Sequence, residues 1–344
     1  MEFGISSFVE MNPSSEHLGK SGQIRMAELM EEIVLADEVG LNVYAIGEHH
    51  RPDFIASSPA TILAAAAVKT QNIKLSSAVT VLGSEDPVRV YQQYATVDLL
   101  SNGRAEIMAG RGSFIESFPL FGYHLSDYDN LFAEKLDLLL KLNESEYVTW
   151  KGKLRPSLNG EGIYPRPVQS KIPVWIAVGG TPSSVVRAAK LGLPLAVAII
   201  GGSLEQFVPL LDLYRRTWVE SGHPVSEIQI GIHCHAFVGE SDEKAANDFF
   251  PSYAEVMSRI GRERGWGPMS RGAYEQMRAP GGSLFVGSAE TVKQKLEYMT
   301  ALLGQTRFLA HMPVGPMPHD QIMQSINLYG NQVVGALRHK LVIA

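Results

Sequence analysis

Asn42-Val43-Tyr44-Ala45-Ile46-Gly47-Glu48-His49-His50 joins a short apolar run to a carboxylate and two imidazoles. The run reads as a buried strand that Gly47 ends. Chemistry-bearing side chains just past the end of a buried strand are what a barrel of parallel strands presents at its carboxyl face, so the flanking text decides the fold. Before it, residues 3–8 read as a strand and 24–39 as a helix whose Met26, Leu29, Met30, Ile33, Val34 and Val39 cover a sheet, with Gly40 as its stop. After it come a small-residue helix over 59–69 with Ser58 as cap, a third strand over 73–81, and a helix over 87–100 opened by Pro87. Asn102-Gly103 turns the chain into a fourth strand, 105–109, and a helix follows over 129–142.

The alternation continues through strands over 173–178, 195–200, 228–238 and 307–311, separated by helices over 183–190, 204–220 and 244–264 and closed by one over 322–337. Eight strands with intervening helices predict an α/β fold, a closed (β/α)8 TIM barrel, rather than an open doubly wound sheet. One domain over 1–344 is expected. Residues 151–171 and 265–287 exceed ordinary connections, and the second precedes a helix capped by Ser288 with Val292, Leu296 and Met299 on one face. Both are expected to cover the carboxyl-end face or to pack beside it.

Composition narrows the function. Acidic residues number 36 against 30 Lys and Arg, a net charge of -6, so nothing electrostatic points to nucleic acid or an anionic membrane. Apolar runs such as 195–200 fall far short of the roughly 20 residues a spanning helix needs. One cysteine, Cys234, and an opening without a basic, apolar leader predict a cytoplasmic protein.

Each candidate motif has a bland reading beside the functional one. His49 can donate a hydrogen bond or move a proton near neutral pH, with Glu48 orienting a ring, or it is a structural hydrogen-bonding residue; His50 ranks below it. Gly110-Arg111-Gly112-Ser113 sets a guanidinium between glycines, suited to phosphate or to a simple ion pair. Gly179-Gly180-Thr181-Pro182-Ser183-Ser184 precedes a helix, as a phosphate seat or an ordinary capped turn. His233 and His235 share a strand face, so a metal-dependent hydrolase is a remote alternative, but no spaced set of ligands completes a metal site. No nucleophile elbow or nucleotide-binding fingerprint appears.

Taken in order, Phe3-Gly4, Ala36-Asp37-Glu38-Val39-Gly40, Glu48-His49-His50, Pro87-Val88-Arg89, Ser101-Asn102-Gly103-Arg104, Gly110-Arg111-Gly112 and Ala188-Ala189-Lys190-Leu191-Gly192-Leu193-Pro194 give a chain that resembles the bacterial luciferase-like, flavin-dependent monooxygenases. The resemblance implies that Arg111 contacts the flavin phosphate opposite Gly180, Thr181 and Ser184. It also implies a cis peptide at Ala78-Val79 beside the flavin, and a role in flavin chemistry for His49. Gly110 stands where light-producing members carry a reactive cysteine, which implies extra room beside the ring and no light emission. Phe8, Phe114, Trp175 and His233 are candidate substrate-pocket residues. The implied reaction uses reduced FMN from a separate NAD(P)H-dependent flavin reductase and molecular oxygen to oxidise a small organic substrate, within a homodimer or larger homo-oligomer. Alternatives are a deazaflavin- or FMN-dependent oxidoreductase without oxygen insertion, and a noncatalytic flavin-storage protein.

Overall fold

The computed structural model describes residues 1–12, 18–112 and 114–338. Eight parallel strands close on themselves: β1 (Glu2–Ser7), β2 (Val43–Ile46), β3 (Lys74–Ser77), β4 (Ala105–Gly110), β5 (Val174–Val178), β6 (Leu195–Ala198), β7 (Ile230–Gly239) and β8 (Arg307–His311). β8 pairs back onto β1, from Glu2 opposite Arg307 to Ser6 opposite His311. The helices α1 (Leu18–Glu38), α2 (Pro59–Ala67), α3 (Pro87–Ser101), α4 (Tyr128–Glu144), α5 (Pro182–Lys190), α6 (Val208–Glu220), α7 (Asp242–Arg264), α8 (Ala289–Leu303) and α9 (His319–Leu328) lie outside it. This is the predicted TIM barrel. Among the described residues no helix is long and apolar enough to cross a membrane.

Several boundaries differ from the sequence reading for local reasons. The third strand is not continuous over 73–81. It breaks after Ser77 at a cis Ala78–Val79 peptide and resumes as Thr80–Val81 beside Ala109 and Gly110. Ser58 does not cap α2, because its Oγ bonds Thr61 Oγ1 at 2.8 Å instead of a backbone amide. Asp86 does cap α3, accepting from the amides of Val88 and Arg89. Ser288 caps α8 as expected. The final helix stops at Leu328 and runs on as a wider turn over Tyr329–Val334. A strand over Phe285–Ser288, absent from the sequence reading, pairs with the outer half of β7.

Two of the quoted motifs prove to be staples of the amino-end face. Asp37 accepts the amides of Gln71, Asn72 and Ile73 at 2.6–3.0 Å. Asn102 (φ 56°) and Gly103 (φ 85°) turn the chain, and Arg104 then donates to the carbonyls of Ala67, Thr70 and Ile73, closing the end of α2. At the same end Arg307 forks onto Glu106 at 2.6 and 3.0 Å and reaches Glu2 at 2.8 Å, while Lys74 bridges Glu2 and Glu106.

Candidate functional site

At the carboxyl end of the barrel, the strand ends and their loops enclose a cavity of about 360 Å³. Ser6, Phe8, Glu10, His49, Ala78, Val79, Gly110, Arg111, Gly179, Thr181, His233, His235 and His311 line it. The segments that sequence alone set far apart therefore meet in one place. A second cavity, about 740 Å³, opens at the amino end around Glu2, Lys74, Glu106 and Arg307. Those charges are already paired with one another, so the smaller cavity is the better candidate.

His49 is only 6% exposed. Its backbone amide is tied to Ala56 O at 2.9 Å, and its ring lies 4.3 Å from Phe8, 4.5 Å from Phe54 and 5.3 Å from Phe114. Its Nε2 has no partner. Burial first, then the neighbouring His311, His50 and Arg51, push its pKa down to about 3. At neutral pH the resting ring is therefore uncharged, a state in which it can donate or accept a hydrogen bond. Glu48 orients the other imidazole, with Oε1 at 3.0 Å from His50 Nε2, while Oε2 accepts the Val81 amide at 2.8 Å and so ties β2 to the broken third strand.

The two phosphate-seat motifs come together. Arg111 Nη2 donates to Ser184 Oγ at 3.2 Å, and Nη1 pairs with Asp129. Thr181 begins α5 without using its hydroxyl as a cap. Gly180 takes φ 118°, a conformation that favours glycine, and open space lies where side chains at Gly179 and Gly180 would sit. Ser113 lies outside the described residues. The sequence reading missed Arg187, three residues beyond Ser184 on α5, which is stacked over Phe132. Its Nη1 is buried without a partner, and burial and Arg111 both lower its pKa. The i, i+3 spacing from Ser184 was the available signal. A helix start flanked by two guanidiniums, one with an unpaired Nη1, is a candidate anion site.

Four further expectations need correction. Trp175 is not a pocket residue: as the second residue of β5 it sits low in the barrel, under Arg307 at 4.1 Å and facing Gly231, and it borders the amino-end cavity. Gly110 leaves no extra room, because a Cβ there would lie 2.7 Å from Val79 Cγ1. Residues 151–171 do not cover the site. They run outside α3 and α4, held by Asp86, Asp98 and Glu134. Of 265–287 only Trp266 reaches the cavity, and the rest forms a helix (Arg271–Arg278) and the strand beside β7. The cover is instead Phe114, stacked under Arg51 at 4.5 Å, with Arg51 held by Glu263 of α7 at 2.8 Å and Asp53 held by Arg259 of the same helix at 2.7 Å.

Opposite Arg111 the interior is polar. His233 opens one edge onto the cavity but is otherwise surrounded by protein, and burial takes its pKa and that of His235 down to about 3. His233 Nε2, His235 Nδ1 and Glu10 Oε2 have no hydrogen-bond partner. Just before Glu10, Val9 adopts φ 56°, a left-handed conformation that costs a β-branched residue roughly 1–3 kcal/mol. Among the described residues no three His, Cys, Asp or Glu side chains are grouped to hold a metal ion.

Comparison with known proteins agrees with this fold. The model of the luciferase-like monooxygenase family matches residues 1–307. The F420-dependent glucose-6-phosphate dehydrogenase of Amycolatopsis mediterranei is 31% identical over 166 residues, 44% of this chain and 48% of that protein. The crystal structure of the monooxygenase RslO1 from Streptomyces bottropensis superposes with a TM-score of 0.85 at 22% identity, covering 98% of this chain and 100% of that one. The oxygenating constituent of 3,6-diketocamphane monooxygenase from Pseudomonas putida, solved with FMN, gives 0.79 at 18% identity over 97% and 98%. The chain thus belongs to the luciferase-like monooxygenase family and is an enzyme of its flavin- or deazaflavin-dependent oxidoreductase class.

Proposed function

We propose that the chain is the oxygenating component of a two-component monooxygenase, which takes reduced FMN from a separate NAD(P)H-dependent reductase and uses molecular oxygen to oxidise a small organic substrate. The meeting of Arg111 and Ser184 at 3.2 Å, with Arg187 alongside, carries this reading. That cluster suits a phosphate dianion, and the aromatic, imidazole-lined interior suits a flat polar ring. When bound, FMN supplies the electrons and the ring at which oxygen is activated.

The chain's own residues bind, orient and exclude water. Arg111, Arg187, Thr181 and Ser184 hold the phosphate, and Gly180 lets the backbone approach it. Ala78 and Val79 form the wall against which the ring is held. His49, neutral at physiological pH, offers Nε2 as a hydrogen-bond partner without adding charge. Phe8, Phe114 and His233 border the substrate, and Phe114 under Arg51 keeps water out.

The identity to an F420-dependent dehydrogenase favours a second reading, hydride transfer with a deazaflavin and no oxygen insertion. Anaerobic titration with reduced FMN and reduced deazaflavin, followed by mixing with oxygen, separates the two. Tighter binding of reduced FMN, with flavin spectra after mixing that differ from those of free reduced FMN, is expected. Preference for the deazaflavin and no change on mixing would select the second reading. NAD(P)H oxidation without any reductase would remove the two-component assignment.

A further inference from the structure

Glu10 is a buried charge whose pairing is incomplete among the described residues. It is 3% exposed and borders the cavity. Arg25, whose Nε touches the Glu10 carbonyl at 3.3 Å, has its guanidinium committed to Glu32 at 2.7 and 3.1 Å. The nearest cationic partner of the Glu10 carboxylate among the described residues is His311, Nε2 at 3.6 Å from Oε1, with Arg25 close enough to feel its charge, and His311 Nδ1 is in turn fixed by Ser6 Oγ at 3.1 Å. Oε2 has no partner. A buried carboxylate oxygen left bare is costly unless something else donates to it.

A second observation points the same way. Val9 holds its left-handed backbone with its amide on Ser7 Oγ at 3.0 Å and its carbonyl on the Ile55 amide at 3.1 Å, so the unfavourable conformation is built in. On either side of it Phe8 and Glu10 both border the cavity, with the Phe8 ring 4.2 Å from His311 and 4.3 Å from His49. Phe8, Phe54 and Phe114 line the same cavity as this unpaired carboxylate oxygen.

We propose that Glu10, held by His311 and Ser6, determines substrate specificity by accepting a hydrogen bond from a hydroxyl group, and that the substrate is a ring-bearing, otherwise apolar molecule carrying that hydroxyl. This rests on the monooxygenase reading for the reaction, not for the recognition. A site built to accept from O–H rejects the analogue that cannot donate, because its buried acceptor then stays bare.

Calorimetric titration with 1-naphthol and with 1-methoxynaphthalene, in the presence and absence of FMN, tests it on the wild type, Glu10→Gln and Glu10→Leu. The wild type is expected to prefer the naphthol at least about tenfold, Glu10→Leu to show no preference, and Glu10→Gln to fall between them. FMN titration of each variant reports whether the pocket is intact, and Glu10→Gln is read if Glu10→Leu does not fold. Equal affinities in the wild type, an unchanged preference in Glu10→Leu, or no binding of either probe would overturn the proposal. Failure of reduced FMN, titrated anaerobically, to bind the wild type would instead count against the flavin reading, with the naphthol preference still measurable.

Discussion

The two ends of the barrel treat charge in opposite ways. At the amino end Arg307, Glu106, Glu2 and Lys74 are joined into one network, and the larger cavity beside them has paired walls. At the carboxyl end Glu10, His49, His233, His235 and Arg187 each leave an atom without a partner. Charged groups that are satisfied hold a fold together, whereas a cluster of bare polar atoms around one cavity marks a candidate ligand site. Cavity size alone would have chosen the other end.

The largest expected effect breaks the paired end. Arg307→Ala leaves Glu106 buried without its fork and should cost about 3–5 kcal/mol in urea unfolding. Flavin affinity per folded molecule should not change. A loss of flavin binding without a loss of stability would erase the contrast between the ends.

Gly110→Cys acts at the open end and tests its packing. The new Cβ meets Val79, so the substitution should destabilise by about 1–3 kcal/mol, and Val79→Ala in the same chain should recover most of it. Equal stability of Gly110→Cys and the wild type, by thermal unfolding, would mean the wall between β3 and β4 yields more easily than its contacts suggest.

The unpaired histidines sharpen the comparison through pH. In the folded chain His49, His233 and His235 titrate at about 3, against 6.5 unfolded. Unfolding at pH 5 therefore takes up protons, so their contribution to stability is complete above 6.5 and is lost as pH falls towards 3. Replacing His233 by Gln should lower the proton uptake on unfolding at pH 5 by about one. No change in the slope of stability against pH between 4 and 6.5 would show that His233 is not held neutral.

Much of this was legible in the sequence. The change of period along the chain gives the barrel, because strand and helix text depend on neighbours. The candidate seats at Arg111 and at 179–184 share a cavity because a barrel brings every strand end to one face. What the sequence did not yield depends on contacts between distant residues. Trp175 and Ala177 share one face of a strand, and only depth along it assigns Trp175 to the floor. Val79 against Gly110, Arg51 against Glu263, and the bare oxygen of Glu10 have no local signature. Long loops suggested a cover, yet 151–171 found partners on α3 and α4, while a short segment around Phe114 covers the pocket.

The smallest expected effect concerns the backbone that sets Glu10. At φ 56° glycine is less penalised than alanine, so Val9→Gly should be about 1 kcal/mol more stable than Val9→Ala, the reverse of the order expected in a strand. The usual order would mean the left-handed turn is not maintained.

The central claim is that separated loops converge on one anion seat at the open end. It is tested most directly by titrating FMN and riboflavin into the wild type and Arg111→Ala. The account predicts roughly 10- to 100-fold weaker FMN binding in the variant, with riboflavin affinity unchanged, because only FMN offers a charged partner. Equal losses for both ligands would contradict it.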